Sequence, residues 1–131
     1  MGYEIAVGAL RLLEHLRNRG FLLGIVSNNK PQIRQTLSDL DFIKYFDVVV
    51  ISEEVGLYKP DPAILRYACE KLNVQPEETL YVGDHPFDVF CAQEASVQSA
   101  WIPINEFMRL PDGTEEPLLH LKALDELNNL I

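Results

Sequence analysis

Two aspartates four residues apart, Asp84 and Asp88, stand in the stretch Thr79-Leu80-Tyr81-Val82-Gly83-Asp84-His85-Pro86-Phe87-Asp88-Val89. The apolar run Leu80 to Val82, cut short by Gly83, predicts a brief buried strand. Pro86 suits the first turn of a helix, where its missing N–H has no partner to lose. One carboxylate then sits at the carboxyl end of a strand and the other in the first helical turn. Such a pair can bind Mg²⁺, a hard cation that prefers oxygen ligands. The same residues could equally cap the helix and oppose the positive end of its dipole. Residues elsewhere in the chain must choose between these readings.

Two further segments bear on that choice. Phe21 to Val26 is a second apolar run, and it closes on Ser27-Asn28-Asn29. A Ser at a strand end, just before a helix opening near Pro31, offers a hydroxyl and free backbone N–H groups to an anion. A plain polar turn would look the same. Lys59 lies in Gly56-Leu57-Tyr58-Lys59-Pro60-Asp61-Pro62, where two prolines restrict the backbone. A Lys held on a rigid loop suits electrostatic clamping of a phosphate, although a solvated surface Lys before a Pro-initiated helix would also fit. Together, a hydroxyl, an ammonium and a carboxylate pair at one sheet edge would match the needs of phosphoryl transfer.

The elements that must position these groups are readable from periodicity. Ile5 to Arg19 has the apolar spacing of one helical face, with cations and then Gly20 at its end. Phe21 to Val26 and Phe46 to Ile51 read as buried strands, and Pro31 to about Leu40 as the helix between them. A helix from Asp61-Pro62 buries Ile64, Leu65, Ala68 and Leu72. The strand at Leu80, a helix from Pro86 to Ala95 and a strand from Gln98 to Ile102 follow. Asn105 to Pro117 reads as an exposed loop around Asp112-Gly113, and Leu118 to Leu130 as a last helix. Alternating short strands and helices predict a three-layer α/β/α, Rossmann-like parallel sheet, whose ligands sit outside the carboxyl ends of the strands.

At 131 residues the chain is expected to form a single domain, residues 1–131. A net charge of −9 argues against nucleic acid, which needs a basic face. No apolar run reaches the roughly 20 residues of a membrane span, and no secretory signal stands at the N-terminus, so the cytoplasm is the expected compartment. Cys69 and Cys91 lack metal or redox spacing and read as buried thiols. His85, His15 and His120 read as spectators of any chemistry.

Gly-Ile-Val-Ser-Asn at 24–28, Lys-Pro-Asp-Pro at 59–62 and Gly-Asp-x-x-x-Asp at 83–88 resemble, in order and spacing, motifs II, III and IV of the haloacid dehalogenase-like (HAD) hydrolase superfamily. The phosphoglycolate phosphatase-like group is the nearest pattern. The resemblance implies a HAD-like core without a cap domain. In it Ser27 and Asn28 would bind phosphate, Lys59 would stabilise its charge, and Asp84 and Asp88 would hold Mg²⁺. The substrate class implied is a small phosphorylated metabolite.

Motif I is missing. That motif is a strand ending in Asp-x-Asp, which carries the nucleophile, and the only Asp-x-Asp here is Asp39-Leu40-Asp41, after a helix. Without a nucleophilic carboxylate no aspartyl-phosphate forms, so the chain is expected to be inactive and to bind Mg²⁺ weakly. The alternative is a non-catalytic HAD-fold domain that binds a partner or a metal. A receiver domain is disfavoured, because it would place its acidic pair early and its Lys last. By the resemblance, the missing strand lies centrally, between those ending at Ser27 and Asp84. Direct pairing of these two strands, insertion of Tyr3–Val7, self-association or a complementing segment could each close the gap.

Overall fold

A computed structural model describes residues 9–131. Helices and strands alternate: α1 (Ala9–Asn18), β1 (Gly24–Ser27), α2 (Ile33–Asp39), β2 (Val48–Ile51), a one-turn α3 (Ser52–Val55), α4 (Ala63–Leu72), β3 (Leu80–Gly83), α5 (Pro86–Glu94), β4 (Gln98–Trp101) and β5 (Leu119–His120). In α1 the buried stripe is Ala9, Leu12 and Leu16, and Gly20 takes the left-handed turn that releases the chain toward β1. In α4, Ile64, Leu65, Ala68 and Cys69 face inward, and Asn73 supplies the left-handed residue that ends the helix.

Every strand pairing among the described residues is parallel. β1 lies beside β2, with Val26 opposite Val50; β3 lies beside β4, with Val82 opposite Ala100; and β4 lies beside β5, with Ala100 opposite Leu119. Two apolar layers sandwich the strands. On one face Ile64, Leu65, Ala68 and Cys69 of α4 and Cys91 and Ala92 of α5 pack with Val26, Val50 and Tyr81. On the other, Leu12 and Leu16 of α1 and the C-terminal Leu121 and Leu127 pack with Leu80, Val82 and Ala100. The expected three-layer α/β/α arrangement is present. Among the described residues no helix is long and apolar enough to cross a membrane.

Among the described residues the strands form two sheets rather than one, β1–β2 and β3–β4–β5. Direct pairing of β1 with β3 is therefore ruled out, and Tyr3–Val7 lies outside the described residues. The side chain of Tyr81 stands between the two strands, its hydroxyl donating to the Val26 carbonyl at 3.5 Å. Strand alternation shows what the separation leaves. Asp47 N–H donates to the Leu23 carbonyl, so Leu23 and Ile25 turn their backbone groups toward β2, and Gly24 and Val26 turn theirs to the gap. Likewise Thr79 and Gly83 accept from Gln98 and Ile102, so Leu80 and Val82 face the gap from the other side. Sealed off from water, each unpaired group would cost about 1–3 kcal/mol. All four residues retain solvent exposure.

The expected last helix is not formed. Leu119 and His120 add a short parallel strand beside β4, and only Leu124–Asn129 coils, as a 3₁₀ turn. Leucines at 118, 121, 124 and 127 repeat every third residue, which is the 3₁₀ period and can be mistaken for an α-helical stripe. The unpaired outer edge of β4 supplies the partner that local periodicity cannot reveal.

Both cysteines are buried and free. Burial pushes the Cys91 thiol up to about 11; Lys59 pulls it down, while Asp88 and Asp61 add to the rise. Because the native thiol ionises later than the unfolded one, its contribution is intact below pH about 8.5 and is lost as pH rises toward about 11. Urea midpoints should therefore hold steady to pH about 8.5 and then fall, by up to ~1.4 kcal/mol per pH unit. Cys91→Ala should flatten the first part of that fall, before the tyrosines ionise.

Candidate functional site

The carboxyl ends of β1, β2 and β3 meet at one edge, and the residues singled out by their chemistry gather there. Ser27 ends β1 and Asn28 follows it. The Asn28 side chain makes a two-way bond with the Lys59 backbone: its Oδ1 accepts from Lys59 N–H at 2.9 Å and its Nδ2 donates to the Lys59 carbonyl at 3.0 Å. That clasp binds the loop carrying Lys59 to the end of β1. Asn28 thus contributes through positioning, its amide already engaged.

The Lys59 ammonium points the other way, toward β3 and α5. It donates to the Tyr81 hydroxyl at 2.6 Å and to Asp88 Oδ1 at 3.1 Å. The ion pair is largely withdrawn from solvent, with 18% and 11% of the Lys59 and Asp88 side chains exposed. Burial holds the Tyr81 hydroxyl well above its ordinary range, and the Asp88 charge adds to this, so Tyr81 stays a neutral partner to the ammonium.

Asp88 is also the third residue of α5, and its Oδ2 accepts the His85 N–H at 3.1 Å. His85 Nδ1 in turn accepts from Phe87 N–H at 3.1 Å, so His85 and Asp88 form a reciprocal cap. The capping reading of Asp84 is therefore overturned: His85 caps the helix, and Asp84 lies one residue earlier. Its carboxylate makes no hydrogen bond among the described residues, while its carbonyl accepts from Trp101 Nε1 at 3.1 Å. Gly83 is required by this crowding, since a Cβ there would come within 2.5 Å of the Asp88 carboxylate.

Asp39 and Asp41 lie elsewhere. They are exposed at the far end of α2, where Asp39 accepts from Gln35 and Asp41 pairs with Lys44. His15 bonds the Ile131 carbonyl at 2.9 Å, and His120 lies against the Trp101 ring. Two contributors escaped sequence reasoning. Tyr81 was legible only as a strand residue. Ser52 is buried just past β2, where its hydroxyl accepts from Asn29 N–H at 2.9 Å and steadies the turn after β1. A small polar residue closing the strongly apolar Val48–Ile51 run was the available signal.

Residues 3–102 match the profile of the haloacid dehalogenase-like hydrolases. The chain belongs to this family. Among curated HAD relatives it is 35% identical over 127 residues to phosphoserine phosphatase of Thermus thermophilus, covering 95% of this chain and 50% of that protein. It is 28% identical over 130 residues to phosphoglycolate phosphatase 1 of Pseudomonas aeruginosa, covering 98% and 46%. Among solved structures, a HAD phosphatase from Thermococcus onnurineus superposes with a TM-score of 0.85 at 30% identity, covering 97% of this chain and 58% of that one. The chain thus spans about half the length of the HAD relatives it matches.

Removing one member of a withdrawn ion pair strands the other, at about 3 kcal/mol. Asp88→Ala should lower unfolding stability in urea by that amount, and Lys59→Met should approach it. Gly83→Ala should perturb the same contact by forcing the carboxylate aside, read as loss of the Lys59–Asp88 coupling in a double-mutant cycle.

Proposed function

We propose that this chain carries the core of a Mg²⁺-dependent phosphatase of small phosphorylated metabolites, as one cytoplasmic domain over residues 1–131. One observation carries the reading. The Lys59 ammonium stands 3.1 Å from Asp88, on a loop clasped to the end of β1, with Ser27 and Asp84 at the same sheet edge. Relatives named for phosphoserine and phosphoglycolate support a phosphorylated substrate.

In this proposal the Ser27 hydroxyl and the backbone N–H groups at Asn28 bind phosphoryl oxygens, and Lys59 is the catalytic cation that stabilises their charge. Asp84 is the main protein ligand for Mg²⁺, and Asp88 assists directly or through water. The donor set fits the ion. Mg²⁺ is commonly held by one or two carboxylates and otherwise by water and substrate phosphate, and the Asp84 carboxylate is uncommitted among the described residues. No cluster of three or more His, Cys, Asp or Glu side chains forms among those residues, which is why the proposed affinity is weak. When bound, the ion would neutralise charge on the phosphate.

The nucleophile is none of the described residues at this edge. Ser27, Lys59 and Asp84 hold other roles in this proposal, and Asp39 and Asp41 lie at the far end of α2, so the isolated chain is proposed to be inactive. That same observation favours a second reading, a non-catalytic HAD-fold domain that binds a partner or a metal. Completion of the sheet by a complementing segment, or by self-association, belongs to either reading.

Phosphatase assays on the 131-residue chain with Mg²⁺ and phosphoserine, phosphoglycolate or p-nitrophenyl phosphate should show no turnover above background. Metal-dependent turnover abolished by Asp84→Asn would reveal a nucleophile in this chain. Mn²⁺, used as a paramagnetic probe, should broaden NMR signals around Asp84, and Asp84→Asn should remove the broadening. If Mn²⁺ leaves those signals sharp in the unaltered chain, the metal assignment fails.

A further inference from the structure

Among the described residues Asp84 is held through its backbone and not through its side chain. The ladder between β3 and β4 ends one residue before it, where the Gly83 carbonyl accepts from Ile102 N–H at 2.9 Å. One residue after it, His85 N–H donates to Asp88 Oδ2 at 3.1 Å. The Asp84 carbonyl lies between these two bonds, just past the end of the ladder, and the indole N–H of Trp101 donates to it at 3.1 Å. We propose that Trp101 is a positioning residue. Its indole N–H fixes the main chain of Asp84, and with it the point from which the Asp84 carboxylate reaches a ligand at the carboxyl edge.

Trp101 is itself firmly placed. It is the last residue of β4 and stands opposite Gly83 in the register with β3. On its other side β5 pairs with Ala100 and Trp101, and Leu121 N–H donates to the Trp101 carbonyl at 2.8 Å. The end of β4 is therefore bonded to a strand on each side. Trp101 is only 4% exposed, and His120, its register partner on β5, lies against the indole with ring centroids 5.0 Å apart. An indole has one donor and no acceptor. Buried and turned to a main-chain carbonyl, it commits its whole hydrogen-bonding capacity to Asp84.

This anchoring matters for metal binding, a role that rests on the reading of Asp84 as the Mg²⁺ ligand. Mg²⁺ demands near-ideal octahedral geometry, so a carboxylate carried on a main chain free to shift would hold it poorly. Groups that orient a ligand without touching the metal change its affinity by about 10–100-fold when removed. Asp88 takes its place from its own side-chain bonds, one oxygen answering Lys59 and the other His85. Asp84 has no such bonds among the described residues and takes its place from the main-chain partners on either side and from the indole.

Trp101 is the chain's one tryptophan, so its indole N–H gives a single resonance in NMR spectra of the full 131-residue chain. In the unaltered, metal-free protein that N–H should exchange with solvent about a hundredfold or more slowly than in free tryptophan; exchange at the free rate overturns the proposal. Trp101→Phe keeps an aromatic ring and removes the donor. Leu16→Ala, a truncation in the apolar layer around α1, controls for general loss of stability. Titrated with Mn²⁺, Trp101→Phe should bind about tenfold more weakly than the unaltered chain, and Leu16→Ala about equally well. Unchanged affinity in Trp101→Phe, or an equal loss in Leu16→Ala, overturns the proposal. If the unaltered chain takes up no Mn²⁺, the metal reading of Asp84 fails, and amide ¹⁵N relaxation at Asp84 and His85 in metal-free protein decides the positioning role. Added motion in Trp101→Phe but not in Leu16→Ala upholds it, and unchanged motion overturns it.

Discussion

The Lys59 ammonium ties the two sheets of this molecule together at their carboxyl edge. Its loop is clasped by Asn28 to the end of β1, in one sheet, while its charge is bound by Tyr81 on β3 and Asp88 on α5, in the other. No backbone ladder joins the sheets among the described residues. With the Tyr81 hydroxyl on the Val26 carbonyl and the apolar layers shared by both sheets, that cation makes a connection that strand pairing would otherwise make. Because a partly enclosed ammonium needs anionic or polar neighbours, its placement constrains the end of β1, the middle of β3 and the first turn of α5 at once.

The crowding around Asp88 follows from this. One carboxylate oxygen answers Lys59 and the other closes the cap of α5, which demands a glycine at position 83 and leaves Asp84 uncommitted among the described residues. The two aspartates that look alike in sequence therefore differ in situation. Asp88 is woven into the fold, and the Asp84 carboxylate makes no hydrogen bond among the described residues. A helix cap and a metal site, which read as alternatives in the sequence, divide between neighbouring residues: His85 takes the cap with Asp88, and Asp84 keeps its carboxylate for the ion it is proposed to bind.

Much of the architecture was legible because strands buried on both faces must be short apolar runs and their connecting helices must carry apolar stripes. The Val48–Ile51 strand, the Ile64–Ala68 stripe and the Pro86 helix start all lie where local chemistry puts them. The reading failed at Leu118–Leu130. There a three-residue leucine spacing fits more than one local structure, and the edge of β4, distant in sequence, selects a strand and a 3₁₀ turn. Tyr81 escaped for a similar reason: an aromatic residue in an apolar run reads as core, and nothing nearby shows that its hydroxyl meets Lys59, 22 residues away.

By itself the sequence determined the alternation of strands and helices, the order of the Ser27, Lys59 and Asp84–Asp88 segments, and the placing of its one Asp-x-Asp, Asp39-Leu40-Asp41, after a helix. These properties are encoded in near neighbours, through periodicity, proline and glycine. Only the tertiary structure decided that, among the described residues, Asp88 is paired and Asp84 is not, that Asn28 serves the Lys59 loop, and that the strands fall into two sheets. Those outcomes depend on which distant groups reach one another across the carboxyl edge, and no local pattern records a contact between residues that meet only when the chain has folded.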